Sequence, residues 1–293
     1  MLQYKDYYMP KSKEDLFSLM ENNGNSFDII SGGTDLYAKE NNSFHNPKFA
    51  IDISSIEDFS IIESRDNFIT FGSNTRIQQF LEDPELTEHV PLMKHAAIWF
   101  AEQQIREMAT VGGNLANASP TGDMIPPLLA MDAVIHTIMK NEKGIYKIDI
   151  PIADFIKGVG KTSLSEGEII HSISCPILKD YGCAFKKVGL RRSLCISTVN
   201  SAFLVKADET GKYFEDVRIA FGGVGPLPAR LKEIEDQLKG SLISKDMIHE
   251  MVQYIPSDIV QSRSRREYRK TVIRNFLLDG LYESLAEINI VLK

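Results

Sequence analysis

Two pairs of adjacent glycines are the residues whose type and spacing most clearly suit a chemical role. Each pair has small hydroxyl neighbours, in Ser31-Gly32-Gly33-Thr34-Asp35 and in Thr110-Val111-Gly112-Gly113-Asn114. Glycine permits positive φ angles and lets the backbone approach a ligand closely, and consecutive exposed N–H groups form a concave anion site. A Gly-Gly pair also occurs in simple tight turns. Two such loops together favour a shared ligand, because a diphosphate needs hydrogen-bond donors from two sides.

Other nucleotide-binding motifs are not supported. The sequence has no G-x-G-x-x-G, so a Rossmann dinucleotide site is not predicted. The run 158–162 resembles the end of a P-loop, but Phe155 stands where the first glycine of that motif is required. Asp123 lies in a dense turn run after the second glycine pair and has two interpretations. It bonds hydroxyl groups of a ligand, or it caps a helix that begins near Pro126.

Hydrophobic patterning predicts the elements that position these loops. A helix follows Ser12 and ends at Asn23-Gly24, and a buried strand then runs directly into the first glycine pair. Beyond Pro176 the pattern changes to strands followed by helices, which is typical of an α+β layer. The predicted strands are 27–30, 49–53, 68–71, 133–139, 144–150, 169–175, 182–190, 200–207 and 217–222, and further helices are predicted at 91–107, 229–238, 245–254 and 264–286.

Composition places the chain among ordinary folded proteins. Its 293 residues suggest about two domains, and 43% hydrophobic residues suffice for a core without disulfides or metals. A net charge of −7 disfavours nucleic acid and anionic membranes as partners. Three cysteines do not suit a secreted disulfide scaffold.

Residues 1–8 lack the apolar core of a signal peptide, and no stretch supplies the ~20 apolar residues of a membrane span. We therefore expect a soluble, intracellular protein.

Several side chains are assigned structural roles. The six histidines show no metal-ligand spacing, and His89 and His95 are predicted to lie on the surface. The basic run between Arg263 and Arg274 is interrupted by Glu267 and is interpreted as a solvated or subunit-facing surface. Four further residues are predicted to lie in the core: Phe80, Leu81, Leu92 and Trp99.

At this level of detail the chain resembles a known family. Ser31-Gly32-Gly33-Thr34-Asp35-Leu36 is similar to the Ala-Gly-Gly-Thr-Asp-Leu loop in the FAD-binding subunits of molybdenum hydroxylases, among them xanthine, carbon monoxide and nicotinate dehydrogenases. The segment 104–133 matches the second signature of that family over nearly thirty positions. Further matches include Phe185-Lys186, Arg191-Arg192 and 220–224, so the resemblance covers essentially the whole chain. Ser31 for alanine and Glu107 for the usual asparagine are the departures.

The resemblance implies an α+β fold. It predicts a two-subdomain FAD-binding domain of the p-cresol methylhydroxylase type at 1–177. A smaller domain with a three-stranded antiparallel sheet and helices is expected at 178–288. It assigns no catalytic residue and no metal ligand to this chain. The residues expected to contact FAD are Ile29, Ile30, Ser31, Gly32, Gly33, Thr34, Asp35, Leu36, Phe100, Thr110, Val111, Gly112, Gly113, Asn114, Asp123, Ile170 and Lys186.

Within that set, Ile170 and Lys186 are expected near the isoalloxazine, and Phe100 takes the position of a flavin-contacting aromatic. A cation beside the flavin stabilises its anionic reduced form and raises the reduction potential. Without the resemblance, Lys186 reads as a solvated lysine at a strand edge, next to Lys187.

The function implied is that of an electron-transfer subunit in a heteromeric oxidoreductase. A large partner subunit carries molybdopterin and hydroxylates an N-heterocycle or aldehyde, and a small partner carries [2Fe-2S] clusters. FAD on this chain passes the electrons to NAD or another acceptor in the cytoplasm. Cys175, Cys183 and Cys195 are too widely spaced to bind such clusters here. The alternatives are a stand-alone FAD oxidoreductase of the same fold and a scaffold without cofactor.

Overall fold

The computed structural model describes residues 4–24, 26–38, 49–191 and 195–292, except for the side chain of Tyr37. Residues 1–3, which belong to the predicted mature N-terminus, and Arg192 lie outside these ranges. None of the helices in the described ranges has the length and hydropathy needed to cross a membrane.

Strands and helices are interleaved in the first part of the chain, whereas in the last part a run of strands is followed by helices. The strands are β1 (Asp6–Tyr8), β2 (Phe27–Ile30), β3 (Phe49–Asp52), β4 (Ile62–Arg65), β5 (Phe68–Gly72), β6 (Val134–Asn141), β7 (Gly144–Pro151), β8 (Ile156–Gly158), β9 (Lys161–Thr162), β10 (Ile169–Pro176), β11 (Gly182–Gly189), β12 (Ser197–Ala207), β13 (Phe214–Gly222) and β14 (Ala229–Arg230).

The helices complete the architecture. They are α1 (Lys13–Asn23), α2 (Thr34–Ala38), α3 (Gln79–Glu82), α4 (Pro84–His89), α5 (Pro91–Trp99), α6 (Gln103–Arg106), α7 (Val111–Asn117), α8 (Ile125–Ala130), α9 (Ile152–Phe155), α10 (Lys232–Leu238), α11 (Lys245–Met251) and α12 (Arg266–Glu287). Short 3₁₀ turns occur at Glu57–Phe59 and Val252–Tyr254.

The described residues form three larger sheets and one two-stranded sheet of β8 and β9. Strands β1, β3 and β2 form a parallel sheet in that order, with α1 packed beside it. An antiparallel sheet has the order β4-β5-β10-β6-β7. The C-terminal sheet has the order β11-β12-β13-β14, so the predicted three strands are extended by a two-residue fourth. Helix α12 packs along β11 and β12.

The C-terminal sheet is buried on both faces, and the strand period of two decides which residues lie on each face. Phe185 and Leu204 belong to the core shared with α5 and α8, whereas Ala184 and Phe203 belong to the core beneath α12. The hydrophobic core of the N-terminal region therefore continues onto one face of the C-terminal sheet.

Some predicted elements differ from the observed ones. The helix predicted at 91–107 is broken into α5 and α6, because Phe100 is extended and Ala101 has a φ of 37°. The segment predicted as a helix at 229–238 begins with β14, because Ala229 and Arg230 pair with Phe221 and Ala220. The nine strands that the hydrophobic pattern predicts and α12 are present, within a few residues at their ends, whereas β1, β4, β8, β9 and β14 are not predicted.

Candidate functional site

The first glycine pair joins β2 to α2. Gly33 has a φ of 70°, which a β-carbon disfavours, and the chain turns there into the first residue of α2. A β-carbon on Gly32 would lie 1.9 Å from the carbonyl oxygen of Met108, so only glycine lets the two backbones pass each other. This contact brings the first loop against the segment that leads into the second glycine pair.

The second glycine pair lies inside the first turn of α7 rather than in a loop. Thr110 caps this helix, and its Oγ1 accepts a hydrogen bond from the Gly113 N–H at 3.1 Å. A β-carbon on Gly112 would lie 2.5 Å from the Cβ of Ser73, so this glycine allows close packing against β5. The hydroxyl of Ser31 lies 3.1 Å from Thr110 Oγ1, which connects the two segments directly.

The two segments face each other across a cavity of about 280 Å³. Its wall contains twelve of the seventeen residues that the sequence predicts to contact the cofactor, together with Ala109, Ala116 and Asn117. The twelve are Ile29, Ile30, Ser31, Gly32, Gly33, Thr34, Asp35, Leu36, Phe100, Thr110, Gly113 and Asn114.

A second cavity of about 230 Å³ adjoins the first and shares Ile29, Ser31, Gly113 and Ala116 with it. We call the two together the cleft, with a loop compartment and an apolar compartment. The wall of the apolar compartment is completed by Ile53, Ser73, Gly112, Leu164, Glu168, Ile169 and Ile170. Apolar walls of this kind suit a ring system, and two further residues of the predicted set, Gly112 and Ile170, lie in this wall.

Hydrogen-bond donors are distributed unequally between the two glycine segments. The N–H groups of Val111, Gly112 and Asn114 donate to the carbonyl oxygens of Thr75, Ser73 and Thr110, respectively, and Gly113 donates to its cap. Within the described ranges, no acceptor takes the N–H groups from Gly32 to Asp35. Backbone donors available to a ligand therefore lie in the first loop, whereas the N–H groups of the second segment are already paired.

Two polar groups reach the cleft from buried positions. The Oδ1 of Asn114 is buried and has no hydrogen-bond partner among the described residues. Glu168, only 6% exposed, accepts from the Thr137 hydroxyl and from the Ser165 N–H. A buried acceptor without a partner costs free energy unless a ligand or water pairs with it.

His171 follows Ile170 in β10 and is 5% exposed. Its ring meets the ring of Phe59 edge-on, with centroids 5.3 Å apart. Burial lowers the pKa of His171 to about 4, and the positive charges of Lys13 and Lys147 act in the same direction. This histidine is therefore neutral at pH 7.

Asp123 does not cap α8, whose N-cap is Met124. Its two carboxylate oxygens instead bond the C-terminal sheet, which excludes the capping interpretation. Oδ2 lies 2.6 Å from Lys187 Nζ, and Oδ1 accepts from Ser197 Oγ at 2.6 Å and Asn200 Nδ2 at 2.7 Å. Lys187 Nζ also donates to the carbonyl oxygen of Trp99 at 2.9 Å. Trp99 directly precedes Phe100, which lies in the wall of the loop compartment.

The structure does not bring Lys186 into the cleft. Lys186 lies on the α12 face of β11 and forms an ion pair with Glu283. The adjacent Lys187 points to the opposite face, toward Asp123, because successive strand residues alternate. Of these two lysines, Lys187 is the one on the side of the cleft, through its bond to the Trp99 carbonyl next to Phe100. The sequence contains a signal that distinguishes the two lysines. Alternate strand residues share a face, so Lys187 must lie on the same face of β11 as the apolar Phe185, and Lys186 on the other.

Other predicted positions also differ. Val111 is fully buried in the core and does not line the cleft. Trp99 was predicted to lie in the core, but it is 53% exposed at the end of α5. Arg269, in the basic run predicted to be a surface, is 6% exposed and donates to the carbonyl oxygens of Thr198 and Gly223. Phe80 and Leu92 are fully buried and Leu81 partly so, as predicted.

Comparison with known proteins decides the family. A family model described as the FAD binding domain in molybdopterin dehydrogenase matches residues 2–178. The chain belongs to the FAD-binding subunits of the molybdenum hydroxylase family. A second model, the C-terminal domain of the CO dehydrogenase flavoprotein, matches residues 184–284 of this flavin subunit.

Relatives of this flavin subunit extend over its full length. The glyceraldehyde dehydrogenase medium chain of Sulfolobus acidocaldarius is 28% identical and the match covers 94% of this chain and 97% of the relative. The xanthine dehydrogenase FAD-binding subunit of Escherichia coli O157:H7 is 26% identical, with 98% of each chain covered. Its relatives are dehydrogenase subunits, and the chain is accordingly an oxidoreductase subunit with an FAD-binding domain.

Solved structures share the fold of the flavin subunit. A carbon monoxide dehydrogenase chain from Hydrogenophaga pseudoflava superposes with a TM-score of 0.86 at 22% identity, covering 98% of this chain and 99% of that one. A chain of quinoline 2-oxidoreductase from Pseudomonas putida 86 gives 0.87 at 19% identity, covering 99% and 100%. The α+β architecture predicted from the sequence is thus confirmed.

Proposed function

We propose that the chain binds FAD in the cleft and transfers electrons within a heteromeric molybdenum hydroxylase. In this proposal a small partner subunit carries [2Fe-2S] clusters, and a large partner with molybdopterin hydroxylates an N-heterocycle or an aldehyde. NAD is the proposed acceptor, and the complex acts in the cytoplasm. The observation that carries the proposal is the cleft itself, in which open backbone donors and an apolar compartment adjoin at Gly113.

The residues of the cleft fit FAD group by group. The N–H groups from Gly32 to Asp35, which have no acceptor among the described residues, suit the diphosphate, which needs donors and tolerates little bulk. The Oδ1 of Asn114, which has no hydrogen-bond partner among the described residues, can accept from a cofactor hydroxyl. The apolar compartment at Ile29 and Ile170 suits one ring of the cofactor. The second ring is placed by this proposal at Phe100, on the side of Lys187.

Bound FAD supplies the ability to exchange single electrons with clusters and a hydride with a nicotinamide. The chain contributes position and charge. The first loop anchors the phosphates by backbone donors, and the packing of Gly32 against Met108 holds that loop in place. Lys187, held by Asp123 and the Trp99 carbonyl, provides a fixed positive charge near the ring placed at Phe100, which this proposal takes to be the isoalloxazine. Such a charge favours the anionic reduced form.

The cysteine content of the chain supports the proposal that the clusters lie on partner subunits. Its three cysteines are too few for a cysteine-ligated cluster, which requires four ligands. Two relatives carry subunit designations: the 6-hydroxypseudooxynicotine dehydrogenase complex subunit alpha of Paenarthrobacter nicotinovorans and the caffeine dehydrogenase subunit beta of a Pseudomonas strain. We also propose a division of the chain into domains 1–177 and 178–288, which the two matched ranges support.

Affinity purification of the tagged chain from its native cells tests this proposal. We expect two further subunits to copurify, with molybdenum and iron in the complex and FAD released on denaturation. Anaerobic addition of NADH is expected to bleach the flavin absorption, because hydride exchange is reversible. A flavin-containing chain that purifies alone and turns over its own substrate would establish the stand-alone oxidoreductase instead. A colourless chain would establish the scaffold.

A further inference from the structure

A second group of functional side chains lies outside the cleft, where α5, β11 and α12 meet. His95, Cys183 and Glu287 come from these three elements, and one ligand atom of each lies within 4.8 Å of the other two. The Nδ1 of His95 is 3.8 Å from the Sγ of Cys183, and its Nε2 is 3.2 Å from Glu287 Oε1. The sequence predicted no metal ligand and placed His95 on the surface.

We propose that His95, Cys183 and Glu287 bind a divalent transition-metal ion, with Zn²⁺ as the ion that their chemistry favours. Thiolate, imidazole and carboxylate are the three ligand types of protein zinc sites. Bonds of about 2.0 Å to nitrogen and 2.3 Å to sulfur at a tetrahedral angle place those two atoms about 3.5 Å apart. The observed 3.8 Å between Nδ1 and Sγ is close to that value, and the Glu287 carboxylate, which now meets Nε2, has to turn toward the Nδ1 side to complete the ligand set.

Electrostatics around the cluster favour a cation. The charged groups that act on the Cys183 thiol are the carboxylates of Glu287 and Glu283. Glu283 forms an ion pair with Lys186, whereas the salt-bridge contact that Glu287 makes among the described residues is with the imidazole of His95. Glu287 is also the last residue of α12, where the helix dipole opposes a negative charge and a cation compensates for it.

The cluster is fixed by the fold before any ion binds. Cys183 is 1% exposed, and its N–H at the open edge of β11 donates to Glu287 Oε2 at 2.8 Å. This bond positions the carboxylate beside the thiol. His95 and Glu287 keep 25% and 37% of their side chains exposed, which leaves a route for the ion and a place for a water ligand. A bound ion would link α5, in the FAD-binding region of the chain, to β11 and α12 of the C-terminal region.

Metal analysis of the full chain, as purified with its flavin, tests the site. The protein is dialysed against a chelator and equilibrated with ZnCl₂ alone, and bound zinc is then measured by mass spectrometry. We expect one zinc per chain, with X-ray absorption showing one sulfur ligand at about 2.3 Å. The melting temperature should rise with zinc. A chain that binds no zinc at micromolar concentration would overturn the proposal.

Variants distinguish this site from adventitious binding. Cys183→Ser and His95→Ala are each expected to lower zinc affinity at least about tenfold and to abolish the zinc-dependent rise in melting temperature. Cys175→Ser alters another buried cysteine outside the cluster, and His89→Ala alters another histidine that pairs with a glutamate, so both should bind like the parent. Equal zinc affinity in Cys183→Ser, His95→Ala and the parent would overturn the proposal. If Cys183→Ser fails to fold, His95→Ala gives the deciding comparison.

Discussion

Lys187 Nζ lies 2.6 Å from Asp123 Oδ2, and both side chains are nearly buried, at 2% and 10% exposure. The pair joins β11 to the turn run after α7. It thereby connects the C-terminal sheet to the turn run that follows α7, the helix whose residues line the cleft. Because Trp99 also accepts from Lys187, this lysine holds three separate parts of the chain together.

Replacing Lys187 by methionine should destabilise the protein by about 3 kcal/mol, because the buried carboxylate of Asp123 loses its counter-charge. Urea unfolding measures this cost. Lys186→Met is the matched control, since Lys186 pairs with the half-exposed Glu283 and should cost at most about 1 kcal/mol. Equal costs for the two variants would contradict the assignment of Lys187 as the buried partner.

The same two variants test the electrostatic role in the proposed function. Lys187→Met should lower the flavin reduction potential, because a positive charge that favours the reduced anion is lost. Lys186→Met should leave the potential unchanged, since its ammonium lies on the other face of β11. Redox titration with reference dyes measures both. A lower potential in Lys186→Met alone would restore the expectation from the sequence.

Stability should fall with acid because of His171. Its pKa is about 4 in the folded protein and 6.5 in the unfolded chain. Between these values the unfolded chain binds the proton and the folded protein does not, so unfolding becomes easier as the pH falls. The loss amounts to about 3 kcal/mol from pH 6.5 to pH 4.

The variant His171→Phe isolates that contribution. Phenylalanine retains an aromatic contact with Phe59 but carries no titrating group. Urea unfolding between pH 7 and pH 4 should therefore show a shallower decline for the variant than for the parent. Parallel curves would mean that His171 titrates normally in the folded protein.

Gly280→Ala should destabilise the C-terminal region by about 1–3 kcal/mol. A β-carbon at this position would lie 2.3 Å from two ring atoms of Phe203, so α12 would have to move away from β12. Denaturant unfolding of Gly280→Ala measures the cost. Asn275→Ala, at an exposed position of the same helix, serves as control and should change stability by no more than a few tenths of a kcal/mol. A Gly280→Ala variant as stable as the control would show that the helix is not held this tightly.

The loop compartment could be predicted from the sequence because its chemistry is local. The residues from Ile29 to Leu36 are contiguous, and their glycines and strand pattern dictate a turn whose backbone faces a ligand. The strands could be predicted for the same reason, since a period of two is visible within one segment. The sequence does not reveal that the N–H groups of the second glycine pair are already hydrogen-bonded within the protein. The N–H groups of Gly112 and Gly113 donate to Ser73 and Thr110, and Ser73 is distant in sequence.

Features that depend on register or on distant segments could not be predicted. A shift of one residue exchanges Lys186 for Lys187, because alternate strand residues face opposite sides of a sheet. The exposure of Trp99 depends on where α5 ends, and the burial of Arg269 depends on carbonyl groups about 46 to 71 positions away in sequence. His95, Cys183 and Glu287 are separated by about 90 to 190 positions, so spacing rules for metal ligands do not detect them.

The flavin content of Gly33→Val tests the central claim, that the first glycine loop holds the cofactor, most directly. Gly211→Val is the matched control, because Gly33 and Gly211 have φ angles of 70° and 69° and carry the same backbone penalty, while Gly211 lies in an open turn. The flavin released on denaturation is quantified per chain for both folded variants. We predict flavin-free Gly33→Val and fully loaded Gly211→Val. Full occupancy in Gly33→Val would contradict the account.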